Sequence, residues 1–335
     1  MKSLNRNARI ILALAVILVL AATIYASFGV HAPDEAQIYS MNTIIDVKVW
    51  GKERTQTVQD ISREINTLNN FFDDYTQGSD ISNINENAGI KPVEVSQDTV
   101  AIIEEAIDMY NKTGGSFNIC IAPVSRLWGF KDGKYRVPTQ EEINKALELV
   151  NINDLHIKGN SVSLAKKGEA IDVGGIAKGY ALDRILEIIK SHNVTEAIVN
   201  MGGNVLTYST NPNKIWKIGI KNPRSNGIIG TLSIKETKFI ATSGDYERFF
   251  TEGGVRYCHI FDPKTGKPAS KVISVTVVAD KGYLSDVLST AFFVLGKDDS
   301  LALTGKFNVG IVGFEGNLAP FYSENLKEIL SLEKG

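Results

Sequence analysis

Between Gln56 and Phe72 the apolar residues Val58, Ile61, Ile65, Leu68 and Phe72 recur at three- and four-residue spacing, whereas past residue 195 apolar residues come in short β-rich runs cut by Gly, Asn and Pro turns. A stripe of the first kind must lie against another element, and runs of the second kind must pair, so a chain carrying both folds as helices packed on a sheet. Further helical patterns are read at Asp98–Tyr110, Thr139–Leu149, Ala177–His192 and Leu284–Leu295, and Thr139 with Glu142 has the spacing of a capping box. A half-buried strand is expected at Thr43–Trp50, where Ile45, Val47 and Val49 alternate with Asp46 and Lys48. Other strands are expected at Glu196–Val199, Ile215–Ile220, Ile228–Ile234, Phe239–Ala241, Ile273–Val278 and Val309–Gly313, ahead of a closing polar segment. The two element types neither alternate strictly nor segregate. The pattern therefore predicts an α+β fold with mixed or antiparallel sheets rather than a doubly wound one, and residues 38–335, with no Pro- or Ser-rich linker, form one compact unit.

The N-terminus obeys a different rule. Lys2, Arg6 and Arg9 precede an apolar run from Ile10 to Val30 that carries no charge, the mark of an export signal or a membrane anchor. A run of about 20 residues suits a transmembrane helix better than the roughly 7–15-residue core of a cleaved signal. Residues 1–31 are accordingly read as a retained anchor, with everything after His31 outside the cytoplasm and Ala32–Gln37 a short polar stalk. No cysteine lies there, which excludes a lipidated N-terminal cysteine. Cys120 and Cys258 form either one disulfide or two buried thiols, and their neighbours Ile119, Ile121 and Tyr257 favour the thiols. With 36 basic and 38 acidic residues the chain lacks the basic excess that holds nucleic acid, so no nucleic-acid partner is expected.

No Walker A, G-x-G-x-x-G or H-E-x-x-H motif is present. Instead, glycine-rich polar segments fall at element boundaries: Thr113–Asn118, Asp172–Gly179, Asn200–Asn204 and Thr242–Tyr246. Each alone is an ordinary tight turn. Together they are places where backbone can approach a ligand. Gly174 and Gly175 lead into Lys178 and a helix, which is either a phosphate site of amides and one ammonium or a plain helix start with a solvated lysine. Asp286 and Thr290 share one helix face; they are either oxygen ligands for Mg²⁺ or a dipole-favoured aspartate and a threonine bonded back to its own helix. His259, beside the Asp262–Gly266 turn, is either an ordinary turn neighbour or a general base, with Arg248, Arg256 and Lys264 as nearby positive charge.

Taken in order, the stretches Met41-Asn42-Thr43, YTQGSDISNIN (75–85), TGGSFNICIAPVSRLWGF (113–130), AIDVGGIAKGYALD (170–183), NMGGN (200–204), ATSGDYERFF (241–250), HIFDPKTGKPA (259–269) and SDVLSTAFFVLG (285–296) resemble the ApbE family of FAD:protein FMN transferases. The resemblance covers nearly all of residues 38–300 and implies an ApbE-like, T-fold-related domain over residues 38–335. It implies Mg²⁺-dependent transfer of FMN from FAD to a Thr or Ser hydroxyl of an exported acceptor protein, with release of AMP. By motif matching, flavin and nucleotide contacts fall on Met41, Tyr75, Ser116, Phe117, Asn118, Asp172, Lys178 and Ile260. Metal ligation falls on the Gly175 carbonyl, Asp286 and Thr290, with Ser289 a further candidate; His259 matches the residue that activates the acceptor hydroxyl, and Asp286 is the alternative base. Asn118 departs from the family pattern, which usually has aspartate there, putting a charged contact to the nucleotide in doubt. Two other readings stay open: an FAD pyrophosphatase in which water replaces the acceptor, and a non-catalytic flavin-binding protein of the cell surface. In all three the domain sits at the cell membrane on its extracytoplasmic side.

Overall fold

The computed structural model describes residues 32–333, so the anchor expected over residues 1–31 lies outside the described residues. Among the described residues no helix is long and apolar enough to cross a membrane. The backbone of the fold is an eight-stranded sheet made of β1 (Asp34–Ser40), β2 (Thr43–Gly51), β3 (Val194–Met201), β4 (Asn204–Ser209), β5 (Lys238–Gly244), β6 (Ser274–Ala279), β7 (Gly310–Phe314) and β8 (Pro320–Tyr322). These strands lie side by side in chain order, and every neighbouring pair is antiparallel. The expected α+β class stands; the sheet is wholly antiparallel where mixed pairing was one option.

Period-two alternation gives this sheet two apolar faces. Ile45, Val47, Val199, Met201, Leu206, Phe239 and Val277 face a helical layer. That layer is built from α1 (Arg54–Phe72), α2 (Gln97–Lys112), α3 (Ala177–Ser191) and α4 (Gly282–Leu295). The α1 stripe read from the sequence is the buried one: Ile61, Ile65 and Leu68 are fully enclosed. On the opposite face Val205, Ile240, Val278 and Val312 pack against Trp216, Ile218 and Leu232 of a small sheet formed by Trp216–Lys221, Ile228–Ile234 and Leu330–Leu332. Thr139 and Glu142 close a capping box at the start of helix Gln140–Leu147, as the spacing predicts.

Three sequence expectations need correction. Ala32–Gln37 is not a stalk: Asp34–Ser40 pairs residue for residue with Thr43–Val49, so the domain begins before residue 38. This strand lies at the sheet's edge, and its polar composition, with Glu35 bound to Lys48, suits that exposed place. The last segment is not merely a polar tail, because Pro320–Tyr322 and Leu330–Leu332 each close a sheet edge. Helices Asp80–Glu86, Ala122–Leu127 and Lys297–Phe307 were not expected from the pattern. Cys120 and Cys258 are free and buried, and burial pushes their thiols up to about 12 and about 11.

Candidate active site

A cleft of about 430 Å³ opens where the turns at one end of the large sheet meet the starts of α3 and α4. Its wall includes Met41, Tyr75, Ser116, Phe117, Asn118, Asp172, Gly175, Lys178, His259, Ile260, Asp286 and Thr290. Segments separated by more than 240 residues thus converge on one cavity. Ser289 is the candidate that the fold does not bring there. Its buried hydroxyl donates to the Asp286 carbonyl at 2.8 Å and lies 2.8 Å from the Ser243 hydroxyl, so its oxygen is engaged behind the wall.

Two hairpin turns form the sheet side. Met41 and Asn42, at φ 49° and 56°, make the two-residue turn between β1 and β2, a geometry that ordinarily selects Asn-Gly. A methionine held left-handed costs roughly 1 kcal/mol, and the Met41 amide is fixed there by a 2.9 Å bond to Asn69 Oδ1. The neighbouring turn contains Gly202, where a β-carbon would lie 2.3 Å from Thr43 Oγ1; the two turns lie against each other.

The helical side depends on a crossing of helix starts. A β-carbon on Gly179 would meet the Gly282 carbonyl oxygen at 2.2 Å, and one on Gly282 would meet the Gly179 oxygen at 2.1 Å. Two glycines therefore let α3 and α4 touch backbone to backbone. Each helix then supplies a carboxylate to the other. Asp183 of α3 accepts from the Gly282 and Tyr283 amides at 2.7 and 2.8 Å, capping α4, which has no cap of its own. Asp286 of α4 accepts from the Gly179 amide at 2.9 Å through Oδ2. Burial pushes the Asp183 carboxyl up to about 6 despite its two amide bonds.

Asp286 Oδ1 faces the Lys178 ammonium at 4.0 Å, and that ammonium also lies 3.3 Å from the Gly174 carbonyl. A β-carbon on Gly175 would lie 3.1 Å from the Phe117 ring and 3.5 Å from Thr290 Oγ1, so Gly175 and the α4 threonine share one corner. Among the described residues no three His, Cys, Asp or Glu side chains gather as metal ligands. The oxygen set here is smaller: one carboxylate, one hydroxyl and backbone carbonyls. Such a set fits a hard cation that keeps waters and substrate oxygens in its shell, and it would not suit a softer metal that asks for imidazole or thiolate.

Asn118 works as a cap, its Oδ1 accepting from the Cys120 amide at 2.9 Å, while the adjoining Ile119 carbonyl takes the Asp172 amide at 2.8 Å. The neutral side chain thus shapes the turn locally, and the Ile119 carbonyl beside it ties this segment to the 172–178 loop. Asp172 itself turns back to the Gly174 amide at 2.8 Å. Tyr75, half exposed at the mouth, lies under the Lys131 ammonium and 3.4 Å from Arg248.

His259 is half-buried, and its Nδ1 lies 3.1 Å from the Arg248 carbonyl, a partner that can only accept. Nδ1 therefore carries the proton and Nε2 is the free base. Burial first, then the charges of Arg248 and Lys178, lower the imidazole to about 4, with the carbonyl bond opposing. Sequence reasoning passed over Asn69, Phe72 and Asn204 as individual wall residues, while Arg248, expected as nearby positive charge, does line the cleft. For Asn204 a signal existed, its place directly after the Gly202-Gly203 turn.

Known proteins place this architecture. The chain is 30% identical over 335 residues to an FAD:protein FMN transferase of Vibrio cholerae, covering 96% of this chain and 98% of the relative. It is 31% identical over 290 residues to a Treponema pallidum protein of the same name, covering 80% of each. Among solved structures, the ApbE protein of Thermotoga maritima superposes with a TM-score of 0.83 at 33% identity, over 89% of this chain and 99% of that one. The flavin transferase ApbE of Vibrio cholerae gives 0.77 at 26% identity with the same coverage. The model of the ApbE family matches residues 41–312, and the chain belongs to that family.

Proposed function

We propose that this protein is an FAD:protein FMN transferase that uses Mg²⁺ and moves FMN onto a Thr or Ser hydroxyl of an exported acceptor protein. The observation carrying this reading is the meeting of the 172–178 turn, the Asp286–Thr290 face of α4 and the free Nε2 of His259 on one cleft. Lys178 and the first amides of α3 supply positive potential for a diphosphate. Asp286, Thr290 and the Gly175 carbonyl would hold the cation, which when bound neutralises charge on the diphosphate oxygens. Met41, Ser116, Phe117, Asn118, Asp172 and Ile260 enclose the nucleotide, with Tyr75 at the mouth. His259 Nε2 takes the proton of the acceptor hydroxyl as that oxygen bonds to the FMN-side phosphorus. The phosphorus–oxygen bond to AMP breaks, and AMP leaves with the bridging oxygen. Residues 1–31 would anchor the domain at the extracytoplasmic face of the cell membrane, where an exported acceptor is met.

Incubation with FAD and Mg²⁺, with and without an acceptor, tests the reading by mass measurement of covalent FMN and by AMP release. AMP released at the same rate without acceptor would replace it with FAD hydrolysis. Under the proposal His259→Ala loses about 100-fold or more in transfer while binding FAD normally. The pH profile adds a sign. Because the free enzyme's imidazole is lowered to about 4, it stays neutral at ordinary pH, and kcat/KM falls only as pH drops toward that value. Removing one cause, in Arg248→Ala, moves the acid limb upward toward the ordinary histidine range. A limb that stays put in that variant would assign it to another group.

A further inference from the structure

Among the described residues four buried polar side-chain atoms have no hydrogen-bond partner, and of their owners only Asn204 lines the cleft. Asn204 is 2% exposed, and its amide nitrogen is the orphaned atom. A sealed donor without a partner costs stability, so a residue that serves folding alone would be better replaced by an apolar one of similar size. Its position is fixed on all sides. Asn204 opens β4, pairs with Met201, and follows the turn whose Gly202 touches Thr43. Leu206, two residues on, belongs to the helix-facing core, so the Asn204 side chain points to the same layer.

The surroundings narrow the ligand. The cleft that Asn204 lines also carries the apolar Met41, Phe72 and Ala177. The charges of the site are engaged elsewhere: Lys178 with Asp286 and the Gly174 carbonyl, Arg248 with the Phe130 carbonyl. An amide presents a donor beside an acceptor, which suits a flat, neutral ring whose edge offers the complementary pair, as adenine does to asparagine.

Resting on the transferase reading, we infer that Asn204 is a positioning residue that grips the heterocyclic edge of one half of the dinucleotide and so sets where the diphosphate falls relative to Asp286 and His259. FAD carries two such rings, and FMN and AMP present them separately.

The test measures binding of FMN, AMP and FAD to the wild-type chain and to Asn204→Leu by titration calorimetry, together with thermal unfolding of the ligand-free proteins. The expected result is a loss of about tenfold or more for FAD and for one of the two mononucleotides. The other mononucleotide stays within about twofold, and the ligand-free melting temperature is unchanged or raised. Affinity falling while apo stability rises is a pattern that a purely structural asparagine cannot give. Unchanged affinity for all three ligands overturns the inference, as does equal weakening of both mononucleotides with a lowered melting temperature. If leucine fits poorly, Asn204→Ala adds no bulk and is judged by the same pattern. A wild-type chain that takes up none of the three ligands overturns the transferase reading as well, which separates the two failures.

Discussion

Asp286→Asn is expected to lower FMN transfer on the order of 10³-fold, about 4 kcal/mol of lost transition-state stabilisation, while leaving the fold intact. Asparagine keeps an oxygen for the Gly179 amide, which Asp286 Oδ2 accepts at 2.9 Å, so the tie between helix starts survives. What is lost is the negative charge, buried to 4% exposure, that would face the cation. The measurement is covalent FMN on the acceptor as a function of Mg²⁺ concentration, beside metal-free FAD binding and thermal unfolding. Transfer at wild-type rate and unchanged Mg²⁺ dependence would remove Asp286 from the metal site. Asp286→Ala confounds the two roles because it also strands the amide.

The largest stability effect is expected from Gly179→Ala. Its new methyl would sit 2.2 Å from the Gly282 oxygen and 2.7 Å from Asp286 Cβ, and backbone cannot swing aside as a flexible side chain can. The helices must separate, at about 3 kcal/mol, a fall in melting temperature of roughly 4–5 °C for a chain of this size. Separation also carries Asp286 away from Gly175, and a displacement near 1 Å is enough to cost about 100-fold in rate. Gly305→Ala is the control. It lies within helix Lys297–Phe307 with nothing within 4 Å of the added carbon. There alanine should stabilise by about 0.5–1 kcal/mol. Equal effects at the two positions would mean that the helix crossing is looser than described.

How legible these features were depended on whether a residue's role imposes a period. The α1 stripe and the alternation over Thr43–Gly51 were readable because one face of each is buried. Strand Asp34–Ser40 was not, since an edge strand with charged and exposed positions looks like a polar linker. Helix Lys297–Phe307 buries only Ser300 fully, so it presents no apolar stripe. At the site, glycine pairs betrayed the turns, and the Asp286–Thr290 spacing placed both side chains on the cleft. Ser289 has nearly the same spacing, but one step round the helix turns its hydroxyl toward Ser243. Asn69, half-buried, and Asn204, buried, matter as single amides that follow no repeat; only tertiary packing reveals them.

The exchange of carboxylates between α3 and α4 has a thermodynamic corollary. Asp286 is both tether and prospective metal ligand, and Lys178 beside it belongs to the loop that would cradle the diphosphate. Under the transferase reading, an ion on Asp286 that tightens one helix start would act on the other, and whatever factor it applied to the affinity of the nucleotide donor, the donor would apply to its own. A hydroxyl that arrived before both were loaded would then meet a half-built machine.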